Sequence, residues 1–252
     1  MLQIDLNCDL GESFGQYTIG NDKEMMKYIS SANIACGFHA GDPNVMNETV
    51  KQAIKHGVQI GAHPGFADLQ GFGRRNMNIS PDEAYHLIIY QVGALQAFAN
   101  IHGGKVKHVK PHGALYNMAA VQPSLAEAIA KAIYDLDSEL ILYGLADSEL
   151  TKAGEKRGLK VAHEVFADRT YQSDGTLTPR NQPNSIITSI EDSIAQILKM
   201  IKDQKVKTIH GEEILIKADT ICIHGDGIHA VEIARNIHDA LRRENIEVCT
   251  PS

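Results

Sequence analysis

Strand-like apolar runs alternate with helix-patterned stretches from one end of this chain to the other, and few architectures accept that order. Strands are expected near 2–8, 32–37, 58–62, 106–110, 139–143, 160–166 and 220–224. Helical patterns lie near 22–30, 44–56, 81–100, 123–136, 147–157, 189–203 and 228–243. Three helix starts carry chemical signals. Asp42-Pro43 supplies an N-cap and a proline at the first helical position, while Ser80-Pro81-Asp82-Glu83 and Thr188-Ser189-Ile190-Glu191 read as capping boxes. Such alternation places parallel strands inside and helices outside. About seven units in 252 residues, with no Pro/Ser-rich linker, predict an α/β fold. The form expected is one distorted, TIM-like (β/α) barrel domain spanning residues 1–252. Residues 206–217, V-K-T-I-H-G-E-E-I-L-I-K, break the pattern and read as a β-hairpin insertion turning at His210-Gly211.

Four of the strand-like runs end in a histidine followed within two residues by glycine: His39, His63, His112 and His224. Histidine is poised for proton transfer or metal binding near neutral pH, and glycine lets the backbone turn sharply or approach a ligand closely. In (β/α) barrels the C-terminal ends of the strands carry the active site, so the repetition predicts one shared site. Residues two apart on a strand share a face. Ile4, Leu6, Cys8 and Leu10 therefore oppose Asp5, Asn7 and Asp9, and the inner face gains Asn33, Gly61, His63, His108, Lys110, Cys222 and His224. An interior this polar persists only where its groups meet each other, water or a ligand.

Each motif has a functional and a structural reading. The D-L-N-C-D-L-G-E run (5–12) offers carboxylates for general-base work or a divalent metal, or simply acceptors for neighbouring loops. No H-x-H, H-E-x-x-H or C-x-x-C pair marks a metal site locally; if a metal is bound, Asp9, His39 and His63 are the first ligands to consider. The loop P-G-F-A-D-L-Q-G-F-G-R-R (64–75) ends in Arg74 and Arg75, whose guanidinium forks suit carboxylate or phosphate. It is either a lid over the site or a mobile surface loop. Lys110, beside His112 in V-K-P-H-G-A-L-Y-N (109–117), suits an anion or developing negative charge, or an ion pair with an inner aspartate. Glu164 and Asp168 share a strand face, with Arg169 and Arg180 near enough to pair with them or with ligand. The expected catalytic set is thus Asp9, His39, His63, Lys110 and His112. The expected substrate- or phosphate-binding set is Asp5, Asn7, Arg74, Arg75, Glu164, Asp168, Arg169, His224 and Asp226.

Composition narrows the function classes. A net charge of −7 argues against a nucleic-acid-binding surface. No stretch approaches the roughly 20 apolar residues of a membrane helix, and no basic leader with a long apolar run is visible. Cys8, Cys36 and Cys222 sit in apolar runs without C-x-x-C partners, so reduced core thiols and a cytoplasmic location are expected. His102-Gly103-Gly104-Lys105 lacks the flanking residues of a phosphate loop and follows a helix, so no ATP-binding motif is recognisable.

The joint presence of D-L-N-C-D-L-G-E, A-N-I-A-C-G-F-H-A-G-D-P, G-A-H-P-G-F-A-D, G-F-G-R-R, V-K-P-H-G-A-L-Y-N and D-G-T-L-T-P-R resembles the LamB/YcsF family, that of the bacterial 5-oxoprolinase A subunits. The motifs span residues 5 to about 230. The resemblance implies a distorted barrel similar to the glycoside hydrolase/deacetylase superfamily. It also implies ATP-dependent opening of the small anionic lactam 5-oxo-L-proline to L-glutamate, with ATP (as Mg-ATP) as cosubstrate, in a complex with subunits B and C. It transfers no residue roles, and self-association stays open. The alternatives are a metal-dependent deacetylase or amidohydrolase acting on a carbohydrate-like substrate, and a non-catalytic ligand-binding subunit.

Overall fold

Two of the three start signals act where the sequence places them. The Asp42 carboxylate accepts from the Asn44 and Val45 amides and heads helix α2 (Pro43–His56). Ser80 and Glu83 form the reciprocal box at the head of α3 (Pro81–Ile101). The third is displaced by one residue: Ser189, not Thr188, caps α7 (Ile190–Asp203) and accepts from the Asp192 amide. The buried face of that helix, at Ile197 and Met200, sets its phase.

The computed structural model describes residues 2–225, 227 and 229–251. Seven parallel strands close into a barrel: β1 (Leu2–Leu10), β2 (Ser31–Ala35), β3 (Gln59–His63), β4 (Val106–Val109), β5 (Ile141–Leu145), β6 (Lys160–Phe166) and β9 (Thr220–Ile223), which returns to β1. The remaining helices are α1 (Asp22–Met25), α4 (Gly113–Val121), α5 (Pro123–Leu136), α6 (Glu149–Arg157) and α8 (Ala230–Arg243). Between α7 and β9 lies the expected hairpin, β7 (Lys205–Lys207) against antiparallel β8 (Glu213–Leu215). Among the described residues, no helix is long and apolar enough to cross a membrane.

Two elements were not expected from the sequence. The strand β10 (Ile246–Val248) pairs parallel to the first half of β1. It takes the edge that β2 occupies further along: the Ile4 carbonyl accepts from Cys249 N–H, and the Leu6 carbonyl from Ser30 N–H. The helix α4 begins directly behind His112 without a side-chain cap bond, so its start has no local chemical signal.

The alternation on β1 sorts two interiors. Ile4, Leu6, Cys8 and Leu10 are buried between barrel and helices, where they join the main apolar core. Asp5, Asn7 and Asp9 face the barrel axis. A small apolar cluster, Ile141, Tyr143 and Ala162, lies apart from that core. Cys8, Cys36 and Cys222 are buried and unpaired, as expected, and Cys249 is half-buried.

The register places Gly61 opposite His108. A Cβ at Gly61 would stand 1.9 Å from His108 Nε2. The His108 ring cannot retreat, because it stacks on Tyr143 with centroids 4.1 Å apart. Gly61→Ala is therefore expected to destabilise the fold by about 1–3 kcal/mol. Gly93→Ala, inside α3 with nothing within 4 Å of the added carbon, is expected to stabilise by up to about 1 kcal/mol. Urea unfolding of the two variants checks the pair, and equal effects would contradict the packing described.

Candidate active site at the C-terminal barrel mouth

The lowest tier of the interior is a closed hydrogen-bond network. Asp5 accepts from four hydroxyls: Ser30 at 2.6 Å, Ser31 at 2.7 Å, Tyr143 at 3.1 Å, and Thr220. Burial raises the Asp5 carboxyl and these donors oppose it, leaving a net upward shift. Above it, Asn7 donates to Thr220 Oγ1 at 2.7 Å, and its Oδ1 accepts from Asn33 at 2.7 Å. Asn33 Nδ2 also donates to Asp9 Oδ1 at 2.8 Å, and Asn33 Oδ1 accepts from His108 Nε2 at 2.7 Å. That bond requires the proton on His108 Nε2, leaving Nδ1 to accept from Gln59 at 3.3 Å. Asp5 and Asn7, expected at the ligand, are instead saturated supports beneath the site.

The next tier is built around one ammonium. Lys110 Nζ, buried just past β4, lies 2.9 Å from Asp9 Oδ1, 2.8 Å from Glu164 Oε1, 3.2 Å from Asn7 Oδ1 and 3.1 Å from Cys222 Sγ. Burial alone would lower the Lys110 pKa. Asp9, Cys222 and Glu164 outweigh that and hold it well above the usual lysine value. Burial likewise acts to raise Asp9, but His63 and Lys110 hold it well below the carboxylate range. Glu164, also expected at the ligand, is completely buried and is spent on Lys110.

Above these tiers opens a cavity of about 730 Å³, walled by Asp9, His63, Arg74, Lys110, His112, Tyr116, Phe166, Arg169, Arg180 and His224. On one wall the His224 Nδ1–H donates to the Asp168 carboxylate, at 2.8 Å and 3.0 Å to its two oxygens. Its Nε2 accepts from Arg180 at 3.1 Å. Burial would raise Asp168, yet His224, Arg180 and Arg169 hold it below the usual carboxylate value. Arg169 donates to the carbonyls of Thr178 at 2.6 Å and Ser185 at 3.2 Å, and burial together with Arg180 pushes its pKa down to about 10. A histidine oriented by a half-buried carboxylate, with its second nitrogen at a cavity, is a general-base arrangement.

On the opposite wall His63 Nδ1–H donates to the Lys110 carbonyl at 2.8 Å, and His112 Nε2–H donates to the Phe72 carbonyl at 2.8 Å. The remaining nitrogens, His63 Nε2 and His112 Nδ1, face each other at 2.9 Å. Asp9 Oδ2 lies 3.2 Å from His63 Nε2. Behind them His39 stacks flat on His112, with centroids 3.7 Å apart and planes within 5°. Burial first, then the adjoining histidines, hold His39 and His112 well below the usual histidine pKa.

The loop 64–75 packs against the site at Gly65, Phe66 and Gly73. Gly65 exchanges two hydrogen bonds with Gln91, at 3.0 and 2.9 Å, and Phe66 is buried. Gly73, with φ 63°, passes so close that a Cβ would stand 2.7 Å from His39 Cβ and 2.9 Å from His112 Cδ2. The two arginines separate: Arg74 lines the cavity and lies 5.0 Å over the Phe72 ring, whereas Arg75 turns outward to pair with Asp68. Arg75 is therefore corrected from a ligand contact to a loop clasp. Asp226 lies outside the described residues.

Glu12 is the residue that strand periodicity misses. It stands two positions beyond β1, where alternation no longer reports direction, and its Oε1 lies 3.5 Å from His39 Nε2 and 3.8 Å from His112 Nδ1. The donor atoms of Glu12, His39, His63 and His112 all lie within 4.8 Å of one another. Asp9, expected as a metal ligand with His39 and His63, groups instead with Cys222 and His224. Lys110 already occupies that neighbourhood.

A parallel (β/α) barrel with titratable side chains gathered at the C-terminal strand ends has the site layout of barrel enzymes. The chain belongs to the LamB/YcsF family, whose pattern matches residues 4–252. It is 64% identical to the 5-oxoprolinase A subunit of Brevibacillus brevis over 248 residues, covering 98% of each chain. It is 61% identical to the 5-oxoprolinase A subunit of Bacillus subtilis, covering 98% of this chain and 96% of the relative. The crystal structure of a lactam utilization protein from Thermus thermophilus matches with a TM-score of 0.93 at 44% identity, covering 99% of this chain and 100% of that one.

The folded protein keeps His108 neutral down to about pH 3, chiefly through burial and then through Lys110 and His63. An unfolded histidine takes its proton near 6.5. Acid therefore favours the unfolded chain, and this stabilising contribution is present above about pH 6.5 and falls by about 1.4 kcal/mol per pH unit below it. Between pH 6.5 and 5 the loss from His108 is expected to be about 2 kcal/mol. Urea unfolding across that range should show a shallower decline for His108→Gln, and identical slopes would contradict the assignment.

Proposed function

We propose that this chain is the lactam-handling component of an ATP-dependent, multi-subunit 5-oxoprolinase in the cytoplasm. It opens 5-oxo-L-proline to L-glutamate with subunits B and C and Mg-ATP. The observation that carries this reading is whole-length identity with proteins named as 5-oxoprolinase A subunits, joined to a cationic cavity with a carboxylate-oriented histidine at its wall.

An unactivated lactam resists water, which accounts for the coupling to ATP. Transfer of the γ-phosphoryl group to the lactam oxygen makes C5 electrophilic and leaves ADP. One water adds to C5, the C5–N bond breaks, and the ring nitrogen leaves with a proton as the free amine. A second water then cleaves the resulting acyl phosphate, giving glutamate and phosphate. His224, oriented by Asp168, takes the proton from the attacking water once Arg180, which donates to its Nε2 in the free protein, turns to the anionic ligand. Arg74, Arg169 and Arg180 hold the substrate carboxylate and the transferred phosphoryl group. Lys110, fixed by Asp9 and Glu164, offsets negative charge developing on the oxygen at C5. Asp9 and His63 complete the floor on which the ring lies.

The test is reconstitution of the chain with the two partner subunits, 5-oxoproline and Mg-ATP, following glutamate and phosphate as each component is omitted. His224→Gln and Asp168→Asn are each expected to lower kcat by about 10²–10⁴-fold, and Lys110→Met, Asp9→Ala and His63→Ala to abolish turnover. Glutamate release without ATP would favour a simple amidohydrolase. Near-normal turnover in His224→Gln and Lys110→Met together would sink the site assignment.

A further inference from the structure

We propose that Glu12, His39, His63 and His112 form a binding site for one divalent transition-metal ion of the zinc class. The argument starts from protons. His63 and His112 each spend their N–H on a backbone carbonyl, so His63 Nε2 and His112 Nδ1 present lone pairs to each other at 2.9 Å. Lone pairs at that distance repel unless a cation lies between them. A single shared proton would serve those two nitrogens and Asp9 Oδ2, which lies 3.2 Å from His63 Nε2. It leaves His39, which is fully buried with neither ring nitrogen hydrogen-bonded, and whose Nε2 looks toward Glu12 Oε1 at 3.5 Å. One metal ion serves all four groups at once.

The spacing fits. A tetrahedral ion with bonds of about 2.1 Å sets its donors about 3.4 Å apart. Here the donor separations are 2.9 Å for His63–His112, 3.5 Å for His39–Glu12 and 3.8 Å for His112–Glu12, with every pair inside 4.8 Å. Three imidazoles and one carboxylate suit zinc, cobalt or nickel rather than magnesium or calcium, which prefer oxygen. The ligands come from the C-terminal ends of four different strands, β1 to β4, so an ion would lock the His63 and His112 rings into the cavity wall. The glycines that pack against His39 leave it no room to turn away: a Cβ at Gly65 would stand 2.6 Å from its Nδ1. The second cluster, Asp9, Cys222 and His224, carries no such proposal, because the Lys110 ammonium already lies within 3.1 Å of Asp9 and Cys222.

The test uses the full-length chain alone, without substrate, nucleotide or partner subunits, so its outcome is separate from that of the lactam reading. Chelator-treated protein is titrated with zinc and with cobalt(II), reading bound metal per chain, the visible absorption of cobalt and the thermal midpoint. About one equivalent is expected, with intense four-coordinate cobalt bands and a raised midpoint. His39→Ala, Glu12→Gln and His112→Asn are each expected to weaken binding by about 100-fold or more, while the exposed His229→Ala binds as the parent does. If His39→Ala does not fold, the two near-isosteric variants carry the test. Failure of the parent chain to retain a stoichiometric ion, or retention unchanged in Glu12→Gln and His112→Asn, overturns the proposal.

Discussion

The buried Lys110 ammonium is the interaction on which the rest of the barrel interior depends. A lone charge in this position would carry a penalty of several kcal/mol. Asp9 and Glu164 lie on either side of it at 2.9 and 2.8 Å, and Asn7 contributes a further oxygen. Removing one member would strand the others, which costs about 3–5 kcal/mol for a buried pair. The three charged groups come from β1, the end of β4 and β6, so the network ties together strands that do not touch directly. It also holds Asp9 deprotonated, which in turn fixes the His63 edge of the cavity.

The support beneath this charge cluster is complete. Asp5 meets four hydroxyls, Asn7 and Asn33 interlock, and His108 is held in one tautomer between Asn33 and Gln59. Fully satisfied polar networks rigidify a core, and partly satisfied ones weaken it. Here rigidity matters because the groups one tier higher face a cavity and must keep their positions without ligand. The two walls of that cavity are chemically distinct. One carries a carboxylate–histidine pair flanked by arginines, and the other carries three close histidines with Glu12 behind them.

Much of this was legible in the chain. Period-two alternation on the first strand alone separates Asp5, Asn7 and Asp9 from the apolar face, and the same rule assigns Asn33, His63, Lys110, Cys222 and His224 inward. Alternation reports direction but not depth. It could not tell that Asp5 and Asn7 end in a sealed lower tier while Asp9 reaches the cavity. Nor does it extend past a strand end, so Glu12, the split between Arg74 and Arg75, and the pairing of Asp168 with His224 were out of reach. The helix α4 escaped because it begins without a capping side chain.

What the sequence determined by itself is the sheet: seven strand–helix units, the face each strand turns inward, and histidines at the mouth. These follow from local stereochemistry, since side-chain period and helix capping operate over a few residues. Tertiary structure alone decided the partners. Which imidazole nitrogen is bare, which carboxylate meets Lys110 and which arginine enters the cavity depend on distances between residues far apart in the sequence, as for Asp9 and Lys110 at 2.9 Å. Such distances are set by closure of the barrel and by glycines close enough to admit a ring, and no stretch of neighbouring residues encodes them.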